Sequence, residues 1–194
     1  MKTKHRILDT ALDLFNEQGT NAISTNHIAE ALSMSPGNLY YHFRSKDEII
    51  RALFEHLFDA WDKEFVLPTD RPITLDDLIE LVRTNFRILW RYRFTHRELI
   101  ALLRQDEVLH QRYLVVRERG YTGFRETFAT MKTLGLLIDV DAETITKLAD
   151  LCWLISEFWL SSLEVNGKDI TPEQLEQGID LMVHVLTPYI ASHS

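Results

Sequence analysis

Apolar positions recur three and four residues apart along most of the chain, the spacing that gives an α-helix one buried face. From residue 5 onward, Ile7, Leu8, Ala11, Leu12, Leu14 and Phe15 form one such face, and Gly19 supplies a C-terminal stop. The stretch STNHIAEAL (24–32) opens on hydroxyl residues suited to N-capping and sets Ile28, Ala29 and Leu32 together. In SMSPGNLYYHFRSKDEII (33–50), Ser35 is a good N-cap, Pro36 fits the first helical position, and Leu39 and Phe43 are four apart. That helix must be short, because SKDE (45–48) has the form of a capping box in which Ser45 and Glu48 bond reciprocally. A long amphipathic helix then carries Ile49, Ile50, Leu53, Phe54, Leu57, Phe58, Trp61 and Phe65, and ends at VLPTDRP with its two prolines.

Helical patterning resumes in TLDDLIELVRTNFRILWRY, whose apolar face is Leu75, Leu78, Ile79, Val82, Phe86, Leu89 and Trp90. THRE (95–98) has the form of a second capping box opening a shorter helix through Leu102 and Leu103. A helix is expected from about Asp106 to Leu134, stopped by Gly135, with Gly120 and Gly123 allowing a kink or break. Asp141 then caps AETITKLADLCWLISEFWLSSLEV, and TPEQ (171–174) is a third capping box. The expected fold is all-α: a small N-terminal helical unit over residues 1–48 and a larger helical domain over 49–194.

Three short helices in about fifty residues, the last two joined by a tight turn, is the helix-turn-helix layout, whose second helix enters the DNA major groove. With Leu39 and Phe43 turned inward, Asn38, Tyr40, Tyr41 and His42 are left outside, suited to phosphates and base edges. Gly37 has no side chain to hold a duplex backbone away, and Arg44 and Lys46 add positive charge at the same end. The competing expectation makes Tyr40 and Tyr41 half-buried packing residues with solvated hydroxyls.

Composition narrows the class. An apolar fraction of 45% with 26% charged residues is that of an ordinary folded protein, and no long uncharged apolar run is present to span a membrane. No secretory leader is legible, so a cytoplasmic location is expected. The single cysteine, Cys152, lies in an apolar helical run and is expected to be a small buried hydrophobe. Net charge is −8, yet residues 1–50 hold five basic and six acidic side chains, so the negative charge belongs to the remainder. Charge alone neither supports nor forbids a nucleic-acid partner.

The stretch ALDLFNEQGTNAISTNHIAEALSMSPGNLYYHFRSKDEIIRALF resembles the DNA-binding domain of the TetR (tetracycline repressor) family of bacterial regulators. The matching positions are Phe15, Gly19, Thr25, Ile28, Ala29, Ser35, Leu39, Tyr40, His42, Phe43, Ser45 and Lys46. The resemblance implies a homodimeric regulator, with repression expected over activation, that binds a palindromic double-stranded DNA operator and answers to an unidentified small molecule. It implies phosphate contacts from Thr25, Tyr40, His42 and Lys46, and base or backbone contacts from Asn38 and Tyr41. Pro36 and Gly37 belong to the same expected interface, as do Asn26, where family members often carry arginine, and His27. Ser33 stands where a glycine is usual; a left-handed backbone there would cost on the order of 1 kcal/mol. The last two helices are apolar over more than one face, and the resemblance assigns them to an intersubunit four-helix bundle. Leu151, Ile155, Trp159, Ile179, Met182, Val183 and Leu186 are the expected contacts, against the alternative of a purely internal core.

For the effector, Phe86, Trp90, Phe94, Tyr113, Phe124 and Phe128 are candidates to line an apolar cavity, with Arg104, Arg83 or Arg87 as an anion anchor, although such residues are also ordinary core and surface. No cofactor or metal is expected: the eight histidines show no His-Glu-x-x-His, and His96, His110 and Glu98 make only a weak ligand set. The other classes kept open are an enzyme working through Glu157 and Asp150, and a helical binding protein without operator affinity.

Overall fold

The computed structural model describes residues 2–191 apart from 65, 69, 72, 139 and 168–170, so the expected helical position of Phe65 lies outside the described residues. The described residues form α1 (Lys2–Gln18), α2 (Thr25–Ala31), α3 (Pro36–His42), α4 (Lys46–Glu64), α5 (Leu75–Arg91), α6 (Arg93–Arg97), α7 (Leu99–Gln105), α8 (Glu107–Thr133), α9 (Ala142–Val165) and α10 (Pro172–Leu186). A single 3₁₀ turn follows, and one isolated bridge pairs Leu137 with Ile190.

Local chemistry sets most helix ends. Ser24 accepts the His27 amide and His27 Nδ1 accepts the Ser24 amide, both at 3.3 Å, a reciprocal cap on α2. Ser35 caps α3, Thr74 and Asp77 cap α5 reciprocally, Asp106 caps α8 and Asp141 caps α9. The Gln174 side chain accepts the Thr171 amide at 3.0 Å. The turn between α2 and α3 places Ser33 at φ 52°, the left-handed region expected there to favour glycine.

Two expected caps differ. Glu48 donates its amide to Ser45, but its carboxylate accepts the Arg44 amide at 2.7 Å rather than that of Ser45. At THRE, Thr95 donates its hydroxyl to Tyr92 O at 2.7 Å, and Glu98 reaches across the chain to Thr20, accepting its amide at 2.9 Å and its hydroxyl. A tertiary partner outcompetes the local cap, and α7 begins without a capping side chain. α8 runs unbroken through Gly120 and Gly123.

Two buried clusters hold the helices together. The first joins α1–α4 to the far end of α5 and to α6–α8, through Phe15, Phe54, Phe58, Ile88, Phe94 and Tyr113 among others. The Phe15 and Phe94 rings lie 5.4 Å apart, so burial continues across the 48/49 boundary drawn from sequence. The second packs α5, the end of α8, α9 and α10 around Phe86, Phe128, Leu160, Ile179 and Met182. Cys152 belongs to it as a buried side chain, its thiol pushed up to about 12 by burial. Gly178 lets α10 approach closely: a Cβ there would stand 2.6 Å from the Phe86 ring and 2.8 Å from Trp159.

Polar side chains join the N-terminal unit to the body at α6. Asn16, itself buried, accepts the Phe94 amide at 3.0 Å and donates to Arg91 O at 2.9 Å, serving the end of α5 and the start of α6 together. Arg97 donates to Asn16 O at 3.0 Å and pairs with Glu164 of α9, and Ser161 of α9 donates to His96 O at 2.9 Å. α6 is thus held between α1 and α9.

Candidate nucleic-acid interface and internal cavity

Leu39 on α3 is fully buried, and Phe43, its C-cap, nearly so, which fixes the helix by its inward face. Tyr41 is then 85% exposed, too open for a packing role, whereas Tyr40 at 50% divides its surface between packing and solvent. Thr25, Asn26 and His27 start α2; Asn26, His27, Pro36, Gly37 and Asn38 are all exposed, and Thr25 and His42 are half-buried. Tyr41 and His42 meet edge-on at 5.2 Å. Nothing lies within 4 Å of the space a Cβ would fill at Gly37, so that stretch of backbone is open to close approach. Lys46 donates its ammonium to Thr20 O at 2.7 Å, which holds this cation at the start of α4 beside α2 and α3. The His27 ring doubles as a cap, and its Nδ1 is committed to the Ser24 amide.

The expected pocket residues separate. Tyr113 and Phe124 line a cavity of about 270 Å³ among α4, α5, α6, α8 and α9. Phe128 lines an adjoining apolar space with Phe124, Met131 and Met182. Phe86 and Trp90 face the opposite side of α5, where they border an open groove against α1 and α10, together with Arg83 and Arg87. Arg87 is paired there with Glu80 at 2.9 Å, and Arg104 is exposed on α7. The separation has a simple cause: α5 is buried on two faces, and an apolar stripe does not say which space each of its residues borders.

The cavity carries polar groups that helical periodicity did not single out. Glu157 on α9 is 7% exposed within a largely apolar stretch of the helix; it accepts Tyr113 OH at 2.8 Å and Trp153 Nε1 at 2.9 Å, and faces Arg117 Nε at 3.4 Å. Burial first, and the Glu157 carboxylate second, push the Tyr113 phenol up, so it stays a donor. Asn85 accepts Trp61 Nε1 and donates to Ser156, both at 3.1 Å, tying α4, α5 and α9 together. His96 is held down to about 4 by burial and is neutral. Because the Thr95 hydroxyl proton is already given to Tyr92 O, its 2.9 Å contact with His96 Nδ1 has Nδ1 donating. Nε2 therefore carries the lone pair, and none of the described residues' hydrogen bonds reaches it. The one signal available in sequence was the charged Glu157 within an apolar run.

Of the expected subunit contacts, Ile179 and Met182 are 4% and 2% exposed and belong to the chain's own core, which removes them from any outer surface. Trp159 is partly buried and donates to Gln174 O at 2.8 Å, inside the α9–α10 pair. Ile155, Val183 and Leu186 are half-buried. Leu151 is exposed, and with Leu154 and Phe158 it makes an outward apolar stripe on α9 that Leu181 of α10 joins. Glu157 and Asp150 do not act as a pair: Glu157 is taken up by three donors, and Asp150 Oδ1 is buried without a partner. Among the described residues no three metal-ligating side chains come together; Glu98 goes to Thr20 and His110 lies beside Glu107 at 3.9 Å. No helix of the described residues is long and apolar enough to cross a membrane.

Comparison with known proteins gives this architecture its relatives. The family described as "Bacterial regulatory proteins, tetR family" matches residues 7–53, and that described as "Bacterial transcriptional repressor" matches 58–194. The HTH-type transcriptional repressor KstR2 of Rhodococcus jostii is 28% identical over 188 residues, covering 90% of this chain and 88% of its own. A TetR-family transcriptional regulator from Marinobacter aquaeolei VT8 is 36% identical, covers 98% of this chain and 92% of its own, and superposes with a TM-score of 0.89. A regulator from Saccharomonospora viridis, solved in complex with choline, shares the fold at 20% identity and a TM-score of 0.78, covering 99% of both chains. With 137 consecutive residues matching one family description and the helix-turn-helix matching the other, the chain belongs to the TetR family of bacterial transcriptional regulators.

Proposed function

We propose that this regulator is a cytoplasmic repressor that binds a palindromic operator as a homodimer and releases it when a small molecule enters the internal cavity. The observation that carries the DNA-binding part is the two-sided character of α3: Leu39 and Phe43 are buried, while Asn38, Tyr40 and Tyr41 stand out beside Gly37. Thr25, Asn26 and His27 of α2 flank that face, His42 and Lys46 extend it, and Tyr40 and Lys46 contact phosphates. The near-neutral N-terminal unit makes the electrostatic share of binding modest and leaves more to shape-matched, two-site docking.

The second subunit docks on the exposed Leu151, Leu154, Phe158 and Leu181 of α9 and α10, with the rims of Ile155, Val183 and Leu186. A two-fold pair would hold its recognition helices about 34–36 Å apart, one helical repeat of B-DNA. α4 couples the two ends: Trp61 borders the cavity and Lys46, some 15 residues earlier, borders the DNA face. At 1.5 Å per residue α4 is about 28 Å long, so a small tilt at Trp61 is a matched displacement at Lys46. Residues 1–48 then act as the DNA-reading unit and 49–194 as the effector and pairing domain. A fold relative that holds choline supports a small-molecule effector of some kind.

The test is selection of duplexes from a randomised library by the purified protein, with Tyr40→Ala run alongside. The expected result is an enriched palindrome that Tyr40→Ala does not enrich. A protein that enriches nothing at low salt, with or without extract metabolites, is not a DNA-reading member of its family.

A further inference from the structure

The placement of Arg117 says what the cavity is built to hold. Resting on the proposal that this cavity takes an effector, we propose that the effector class is a compact organic cation, with an ammonium or amidinium head that replaces Arg117 against Glu157 and the Trp153 ring. A buried carboxylate is costly unless an opposite charge meets it. The two close partners of Glu157, Tyr113 OH and Trp153 Nε1, are neutral donors. Its one positive partner is Arg117, whose Nε stands off at 3.4 Å, long for a charge-assisted bond, while its guanidinium carbon lies 5.5 Å from the Trp153 centroid. The arginine therefore occupies both seats a cationic ligand wants, a carboxylate and an aromatic face, and occupies them loosely. Its side chain is 39% exposed, so it can withdraw to water at little cost.

The rest of the cavity agrees. Trp61 and Phe124 supply further aromatic wall, and His96 offers a lone pair at Nε2 rather than a donor. Gly120 keeps the α8 wall flat, since a Cβ there would come within 3.0 Å of the Trp153 ring. An anion finds no opening: it would face Glu157, and the second arginine of the cavity, Arg119, is already paired with Asp62 at 2.7 Å. At about 270 Å³ the space lies just under the ~300 Å³ where ligand pockets usually begin, so the ligand is small.

The experiment titrates the full-length protein with benzyltrimethylammonium, with neutral 4-phenylbutan-1-ol and with anionic 4-phenylbutyrate, read by calorimetry and by the fluorescence of Trp61 and Trp153. Benzyltrimethylammonium is expected to bind at least ten-fold more tightly than the other two. Arg117→Gln removes the place-holder and should tighten the cation about ten-fold, whereas Glu157→Gln should weaken it by at least as much. Glu157→Gln disturbs two buried donors and could lower stability; Arg117→Gln sits at the cavity mouth and keeps the test independent of folding. The proposal is overturned if 4-phenylbutyrate binds tightest and Arg117→Gln weakens it, if Arg117→Gln leaves the cation's affinity unchanged, or if no probe binds at millimolar concentration. Tight binding of the neutral or anionic probe that also releases operator DNA would sink the cation class alone and leave the proposed regulator standing.

Discussion

Asn16→Ala tests the joint between the N-terminal unit and the body. The side chain of Asn16 accepts the Phe94 amide at 3.0 Å in a buried setting and donates to Arg91 O at 2.9 Å. Both partners are groups that helix geometry leaves over, one at the end of α5 and one at the start of α6. Truncation to alanine leaves them facing each other across a gap with no replacement. A buried amide without a partner costs about 1–3 kcal/mol, and the Arg91 carbonyl, nearer the surface, adds less because water reaches it. A total of about 3 kcal/mol corresponds to roughly 6–12 °C in Tm for a chain of this size. The effect is read by calorimetric melting of the purified variant, with operator binding measured in parallel. Because Arg97 reaches the backbone carbonyl of Asn16 and not its side chain, α6 keeps its tie to α9 and the body stays folded. A Tm within 2 °C of the parent would show that water replaces both bonds, and that the joint contributes no energy.

Three further outcomes follow from the packing. His96 is held near 4 when folded against about 6.5 when unfolded, so between those values the unfolded chain binds a proton that the folded site refuses; stability should fall by about 3 kcal/mol as pH drops through that window, and His96→Gln should flatten the urea-midpoint profile there. Phe158→Glu, on the exposed stripe of α9, should leave the circular dichroism spectrum unchanged and halve the mass seen by light scattering; an unchanged dimer would place the interface elsewhere. Gly178→Ala drives a methyl group into Phe86 and Trp159 and should cost about 1–3 kcal/mol by thermal melting, with a neutral result meaning that α10 shifts freely.

The helices, their stops and most caps were legible because they are local: Ser35 before Pro36 and Asp141 before its helix announce themselves within a few positions. THRE was misread for the opposite reason. Its glutamate has a partner 78 residues away in Thr20, and no window of sequence contains both. The exposed face of α3 was legible because Leu39, with Phe43 just past the helix end, turns inward and leaves few choices for the rest. The cavity was not, since Phe86 and Tyr113 are both aromatics at helical spacing, and only the packing of five helices decides which one lines it. For the same reason Ile179 and Met182 passed for an outer surface when they fill the inner one.

The tilted contact of Phe15 with Phe94, within one continuous cluster from α1 to α8, bears on modular engineering. DNA-reading segments of bacterial regulators invite transplantation, as interchangeable heads for sensors of new compounds. Here a graft cut near residue 48 would sever Phe15, Leu39 and Phe43 from Ile49, Phe54 and Phe94, and would strip Thr20 of Glu98. The exchangeable piece is a surface, not a segment. A working hybrid would keep this chain's α1 core and the whole of α4, and replace only the outward positions of α2 and α3.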